Sequence, residues 1–148
     1  MPHRLEFITS INHIDFYNDS KSTNAVSTKT AVNSLLEKYS QLVLILGGIA
    51  KQENYSELIE LINKKVQTVV LETFSPTISH STLHTCFVRE PIDIIWVKDK
   101  KIVSLKRKVK PFTFKIAPKK PAQYIIEAPT GFIKKHKLKN GQNISILS

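Results

Sequence analysis

Apolar residues fall in short runs along this chain, and the period of each run predicts an element. Leu5 to Thr9 and Ile14 to Tyr17 alternate as two strands across an Asn12-His13 turn. From Ala25 to Tyr39 the apolar positions Ala31, Val32, Leu35, Leu36 and Tyr39 recur at three- and four-residue spacings, which predicts a helix with one buried face. Leu42-Val43-Leu44-Ile45-Leu46 is continuously apolar and too short for a buried helix, so it predicts a central parallel strand covered on both sides, ending at Gly47-Gly48. Asn54-Tyr55-Ser56-Glu57 carries the capping residue and trailing glutamate of a helix start; Leu58, Ile59, Ile62 and Val66 supply its stripe, and Val69-Val70-Leu71 follows as a strand. Strands alternating with helices predict right-handed crossovers and a parallel sheet.

Beyond residue 77 the pattern becomes that of short strands. Leu83 to Val88, Ile92 to Val97, Ile102 to Leu105, Phe112 to Ile116, Gln123 to Glu127 and Ile144 to Leu147 are rich in β-branched and aromatic residues. Asp99-Lys100 predicts a tight hairpin turn, and Asn140-Gly141 a turn into the last strand. A small barrel or sandwich is expected here. The expected fold class is therefore an α+β composite: an N-terminal α/β part with a partial parallel sheet over residues 1–72, a junction over 73–77, and a small, mostly antiparallel β unit over 78–148. Two small cores with few contacts between them are expected.

Charge marks the same division. Residues 1–72 carry 7 Lys and Arg against 8 Asp and Glu, whereas residues 73–148 carry 15 against 4, and six of the seven prolines follow residue 72. The single cysteine, Cys86, excludes an internal disulfide framework, and no apolar run approaches the ~20 residues of a membrane span. No membrane association is expected, and the default address is the cytoplasm.

Candidate chemistry gathers where the second strand meets the first helix. In Asn18-Asp19-Ser20-Lys21-Ser22-Thr23-Asn24, a lysine, a carboxylate and hydroxyls lie beside a helix N-terminus, whose free backbone N–H groups attract anions. An ordinary helix cap by Thr23 or Asn24 is the simpler reading of these residues alone. The loop Gly47 to Lys51 lies at another strand's carboxyl end, so Lys21 and Lys51 are placed to clamp one carboxylate or phosphate.

These residues resemble a known family. His3-Arg4-Leu5-Glu6, then Asn18 to Asn24, then Leu46-Gly47-Gly48-Ile49-Ala50-Lys51 look like the start of the C-terminal domain of the Mur ligases of peptidoglycan synthesis, the D-glutamate-adding member above all, over about residues 2 to 72. The resemblance implies ATP-dependent amide formation, with ATP and Mg as cofactor. Arg4 and Asp19 would face the nucleotide, and Lys21, Thr23 and Lys51 would surround D-glutamate and the acyl-phosphate. No residue is assigned a catalytic role. The sequence contains no G-x-x-x-x-G-K-[ST] phosphate loop. No ligase activity is therefore expected of the chain alone, and a partner chain carrying the ATPase domain is implied.

The second half has its own resemblance. His84-Thr85-Cys86-Phe87-Val88-Arg89-Glu90-Pro91-Ile92-Asp93, then Tyr124-Ile125-Ile126-Glu127-Ala128-Pro129-Thr130-Gly131, then Leu138 to Gln142 resemble the domain of unknown function 192 family over about residues 78 to 147. A non-catalytic β module fused to a ligase remnant is thus the alternative reading.

The remaining constellations are weaker. His80, His84 and Cys86 are metal-ligand types, but no second cluster completes a tetrahedral site and no metal is expected. Asp93, four residues after Arg89, is read as an internal ion pair. The basic run Lys98 to Lys110, with Lys115, Lys119 and Lys120, and the aromatics Phe112, Phe114 and Tyr124 suggest nucleic acid. The aromatics alternate as core residues do, however, so a solvated basic face is preferred and nucleic acid is not the expected partner.

Overall fold

The computed structural model of the chain describes residues 2–47, 52–86 and 88–144. Its elements run β1 (Glu6–Ile11), β2 (Ile14–Asn18), α1 (Ala25–Leu36), β3 (Val43–Leu46), α2 (Ser56–Lys65), β4 (Thr68–Glu72), β5 (Ile92–Lys98), β6 (Lys101–Val109), β7 (Tyr124–Pro129) and α3 (Phe132–Lys135). The chain divides into two compact units, one comprising Met1–Leu42 with Lys51–Lys65, the other Val43–Ala50 with Val66–Ser148.

In the first unit β1 and β2 pair antiparallel, from Glu6 opposite Asn18 to Ile11 opposite Ile14. The turn residues Asn12 and His13 both hold positive φ, the conformation a two-residue hairpin turn demands. Helix α1 starts at Asn24, whose side chain accepts the Ser27 N–H at 2.8 Å. It buries Ala31 and Val32, while α2 buries Leu58. Lys29 of α1 pairs with Glu57 of α2 at 2.6 Å.

The second unit is a five-stranded mixed sheet in the order β3-β4-β7-β5-β6. Only β3 and β4 run parallel; β4 pairs with β7, β7 with β5 and β5 with β6 antiparallel. Strand β5 lies between β7 and β6, and its Asp93 to Val97 are all buried. On one face Ile95, Val97, Val70, Ile126, Ile133 and Leu138 pack together. On the other, Ile94 and Trp96 pack with Ile116, Ala122 and Ile125.

Several expectations are corrected. The run Leu42 to Leu46 forms an edge strand, with Val43 60% and Ile45 44% exposed, because among the described residues it pairs with β4 on one side only and β2 pairs with β1 instead. The two strands at the N-terminus form their own sheet instead of joining a parallel one. The charge and proline shift at residues 72–76 does not separate two cores: Val69, Val70, Leu71 and Glu72 stand opposite Glu127, Ile126, Ile125 and Tyr124 in one ladder. The expected barrel or sandwich is an open mixed sheet. Of the expected strands at 83–88 and 112–116, the described residues show only a bridge between Leu83 and Ile116. The expected final strand lies largely outside the described residues, with Asn143 bridging Lys101. Phe112 and Phe114 are not core residues but 70% and 74% exposed.

Candidate functional site

The loop Asn18 to Asn24 of the first unit is shaped by its own polar groups. An Asp19 carboxylate oxygen accepts the Leu5 N–H at 3.0 Å, and the Lys21 N–H reaches the His3 carbonyl at 3.0 Å. Residues 3–5 thereby lie alongside residues 19–21, which brings Arg4, Asp19 and Lys21 to one end of the β1–β2 hairpin. Thr23 follows, its N–H bonded to the Lys21 carbonyl. Lys51 lies outside the described residues.

The helix N-terminus beside this loop already holds an anion. The Ala25 N–H donates to Glu53 Oε2 at 2.8 Å, and Glu53 Oε1 accepts the Tyr55 hydroxyl at 3.0 Å. A glutamate 28 positions away, which no local motif marks, thus occupies the anion position expected at this helix start. Arg4 is exposed and Asp19 is engaged by a backbone amide, so these two residues alone do not make a nucleotide site.

A second polar arrangement in this unit lies outside any sequence motif. Tyr39 donates to Asp15 at 2.6 Å, its hydroxyl stands 2.8 Å from that of Tyr17, and Lys38 donates to the Tyr17 hydroxyl at 2.9 Å. The Lys38 ammonium also lies 5.0 Å from the Tyr39 ring centre. Bonding to the Asp15 carboxylate pushes the Tyr39 hydroxyl up to about 12, and the Tyr39 bond holds the Asp15 carboxyl below its ordinary value. The group acts as a clasp between β2 and the end of α1.

In the second unit Asp93 is 1% exposed, and its partners are three backbone amides, not Arg89. Oδ1 accepts the Lys108 N–H at 3.0 Å; Oδ2 accepts those of Gly131 at 3.1 Å and Ile133 at 3.0 Å. Opposite Asp93 the β5–β6 register shifts, and Lys106, Arg107 and Lys108 emerge as consecutive exposed cations. One buried carboxylate therefore fixes both that bulge and the turn into α3.

Between these elements lies an open groove of about 660 Å³, with Arg107, Lys134, Lys137 and Lys139 around it. Ile133 and Leu138 form its apolar floor, and Asn140 and Gln142 border it. No carboxylate lines the groove, and among the described residues none of the four cations has an ion-pair partner. The Lys134 to Lys139 cluster is visible in the sequence as a basic run, but its convergence with Arg107 depends on the Asp93 bonds. His80, by contrast, is held by Thr77 at 2.7 Å, and among the described residues no three His, Cys, Asp or Glu side chains gather to hold a metal. No helix among the described residues is long and apolar enough to cross a membrane.

On the opposite sheet face, Glu127 of β7 stands between Ile94 and Val69. Burial pushes its carboxyl up to about 7, and among the described residues no hydrogen bond offsets that cost.

The fold and these sites define an α+β protein in which a polar loop at a helix start and a basic groove belong to separate compact units. The model of the domain of unknown function 192 family, described as Uncharacterized ACR, matches residues 71–146, just over half of the chain. The chain belongs to that family.

Other relatives match about half of the chain. The UDP-N-acetylmuramoylalanine–D-glutamate ligase of Thermosipho melanesiensis is 42% identical over 71 residues, 48% of this chain and 16% of that ligase. The ligase of the same name from Cytophaga hutchinsonii is 46% identical over 69 residues, 47% of this chain and 15% of the ligase. The chain thus spans less than a fifth of the length of these curated relatives. A solved structure of a protein of unknown function from Novosphingobium aromaticivorans covers 70% of this chain and 71% of its own, with 15% identity and a TM-score of 0.49.

Proposed function

We propose that the chain is an incomplete Mur-ligase-like protein of peptidoglycan synthesis that binds D-glutamate, or a similar small carboxylate, without performing the ligase reaction alone. One observation carries the reading: identity of 42% to a D-glutamate-adding ligase, confined to 71 residues that make up 16% of that enzyme. A stretch of that size supplies part of a ligand surface and leaves phosphoryl transfer to groups elsewhere in the enzyme.

The local geometry supports binding at the Asn18 to Asn24 loop. Backbone bonds to Asp19 and Lys21 hold the loop against residues 3–5, and the Lys21 and Arg4 side chains are exposed there. The exposed Lys21 on this fixed loop suits a carboxylate, with Thr23 as a hydroxyl donor and Lys51 as the further cation that the resemblance implies. With only these contacts, affinity would be on the order of millimolar. Incubation of the chain with UDP-N-acetylmuramoyl-L-alanine, D-glutamate and ATP with Mg should release no phosphate. Turnover by the chain alone would overturn the reading.

A further inference from the structure

We infer that the second unit binds single-stranded nucleic acid, with phosphates at the Arg107, Lys134, Lys137 and Lys139 groove and bases against Phe112 and Phe114. Charge provides the first argument: residues 98–144 contain 14 Lys and Arg against Asp99 and Glu127 alone. Four of these cations surround a groove that contains no carboxylate. Like charges gathered without internal partners raise the local potential and attract a polyanion.

Exposure provides the second, independent argument. Phe112 and Phe114 present their rings to solvent at 70% and 74% exposure. They do so from a fixed loop: buried Thr85 donates its hydroxyl to the Lys110 carbonyl at 2.7 Å and accepts the Thr113 N–H at 2.9 Å. Its backbone adds bonds between the Thr85 N–H and the Thr113 carbonyl and between the Phe112 N–H and the Thr85 carbonyl. Phe112 and Lys115 hold positive φ within this loop, a conformation that costs energy and is sustained by those bonds. Exposed Lys110 and Lys115 flank the rings.

The two features lie within reach of one ligand. Arg107 and Phe112 are five residues apart, hence at most roughly 18 Å along the chain, a gap that a short oligonucleotide bridges. Stacking on two rings requires unpaired bases, which favours a single strand over a duplex.

Fluorescence anisotropy of the full chain with a labelled oligonucleotide of about 15 nucleotides, between about 50 and 200 mM salt, tests this inference. Four phosphate contacts predict a log–log salt slope near −3. Lys134→Ala/Lys137→Ala should weaken binding at least tenfold and flatten the slope by about 1.4. Phe112→Ala/Phe114→Ala should weaken binding at least fivefold with the slope unchanged. All four side chains are largely solvent-exposed, so circular dichroism should show both variants folded. Three outcomes would overturn the inference: no oligonucleotide binding, binding of vesicles containing phosphatidylserine in preference to the oligonucleotide, or equal binding of duplex and heparin with the phenylalanine variant unaffected.

Discussion

Asp93 and Ile133 are joined by a hydrogen bond of 3.0 Å between a buried carboxylate oxygen on β5 and the backbone N–H of α3, 40 residues later. The same carboxylate holds Gly131 and Lys108, so three donors depend on one side chain. Asp93→Ala should cost about 3 kcal/mol or more in denaturant unfolding, because it strands amides that bond to a charged acceptor. A loss below about 1 kcal/mol would mean that these segments are held by other contacts.

Ser81 has the same character on the other face of the sheet. Its hydroxyl donates to the Thr77 carbonyl at 2.6 Å and accepts the Ala122 N–H at 3.1 Å, while its carbonyl takes the Trp96 indole N–H at 2.8 Å. Ser81→Ala removes the hydroxyl bonds and should destabilise the chain by about 1–3 kcal/mol, measured by thermal or urea unfolding. Trp96 fluorescence should keep its native maximum, since the carbonyl partner remains.

Stability should fall as pH rises from about 4.5 to about 7. Glu127 titrates from an ordinary 4.5 in the unfolded chain and near 7 in the folded one. The unfolded chain releases its proton first, so stability is full below about pH 4.5, declines through this window and levels above 7. The expected loss is about 3 kcal/mol. Glu127→Gln should abolish this slope in urea unfolding measured across the window; an unchanged slope would assign it to other groups.

Removal of the Glu53 carboxylate should have two opposite effects. Glu53→Ala unmakes the bond to the Ala25 N–H and should lower stability by about 1 kcal/mol. It also frees that amide, so D-glutamate should bind severalfold more tightly in a calorimetric titration. Unchanged or weaker binding would place the ligand away from the helix start.

Local signals in the sequence identified the elements well and their neighbours poorly. The Asn12-His13 and Asp99-Lys100 turns, α1 and β5 follow from residue types within a few positions. The run Leu42 to Leu46 reads as a central strand because apolarity reports potential burial; its place at the edge depends on β2 pairing with β1 in a separate sheet instead of with it. The same limit applies to the sites. Asp19 and Lys21 are readable as loop residues, but Glu53 reaches Ala25, and Asp93 reaches Gly131, only through tertiary structure. Phe112 and Phe114 have the alternation of a strand, yet Thr85 holds them in a loop that exposes both rings.

The reading of the first unit as a retained ligand surface is tested most directly by ligand-observed NMR with D- and L-glutamate on the full chain and on Lys21→Ala. The account predicts weak binding of D-glutamate, on the order of millimolar, in preference to L-glutamate and lost in Lys21→Ala. Equal binding of both enantiomers, or undiminished binding by Lys21→Ala, would contradict it.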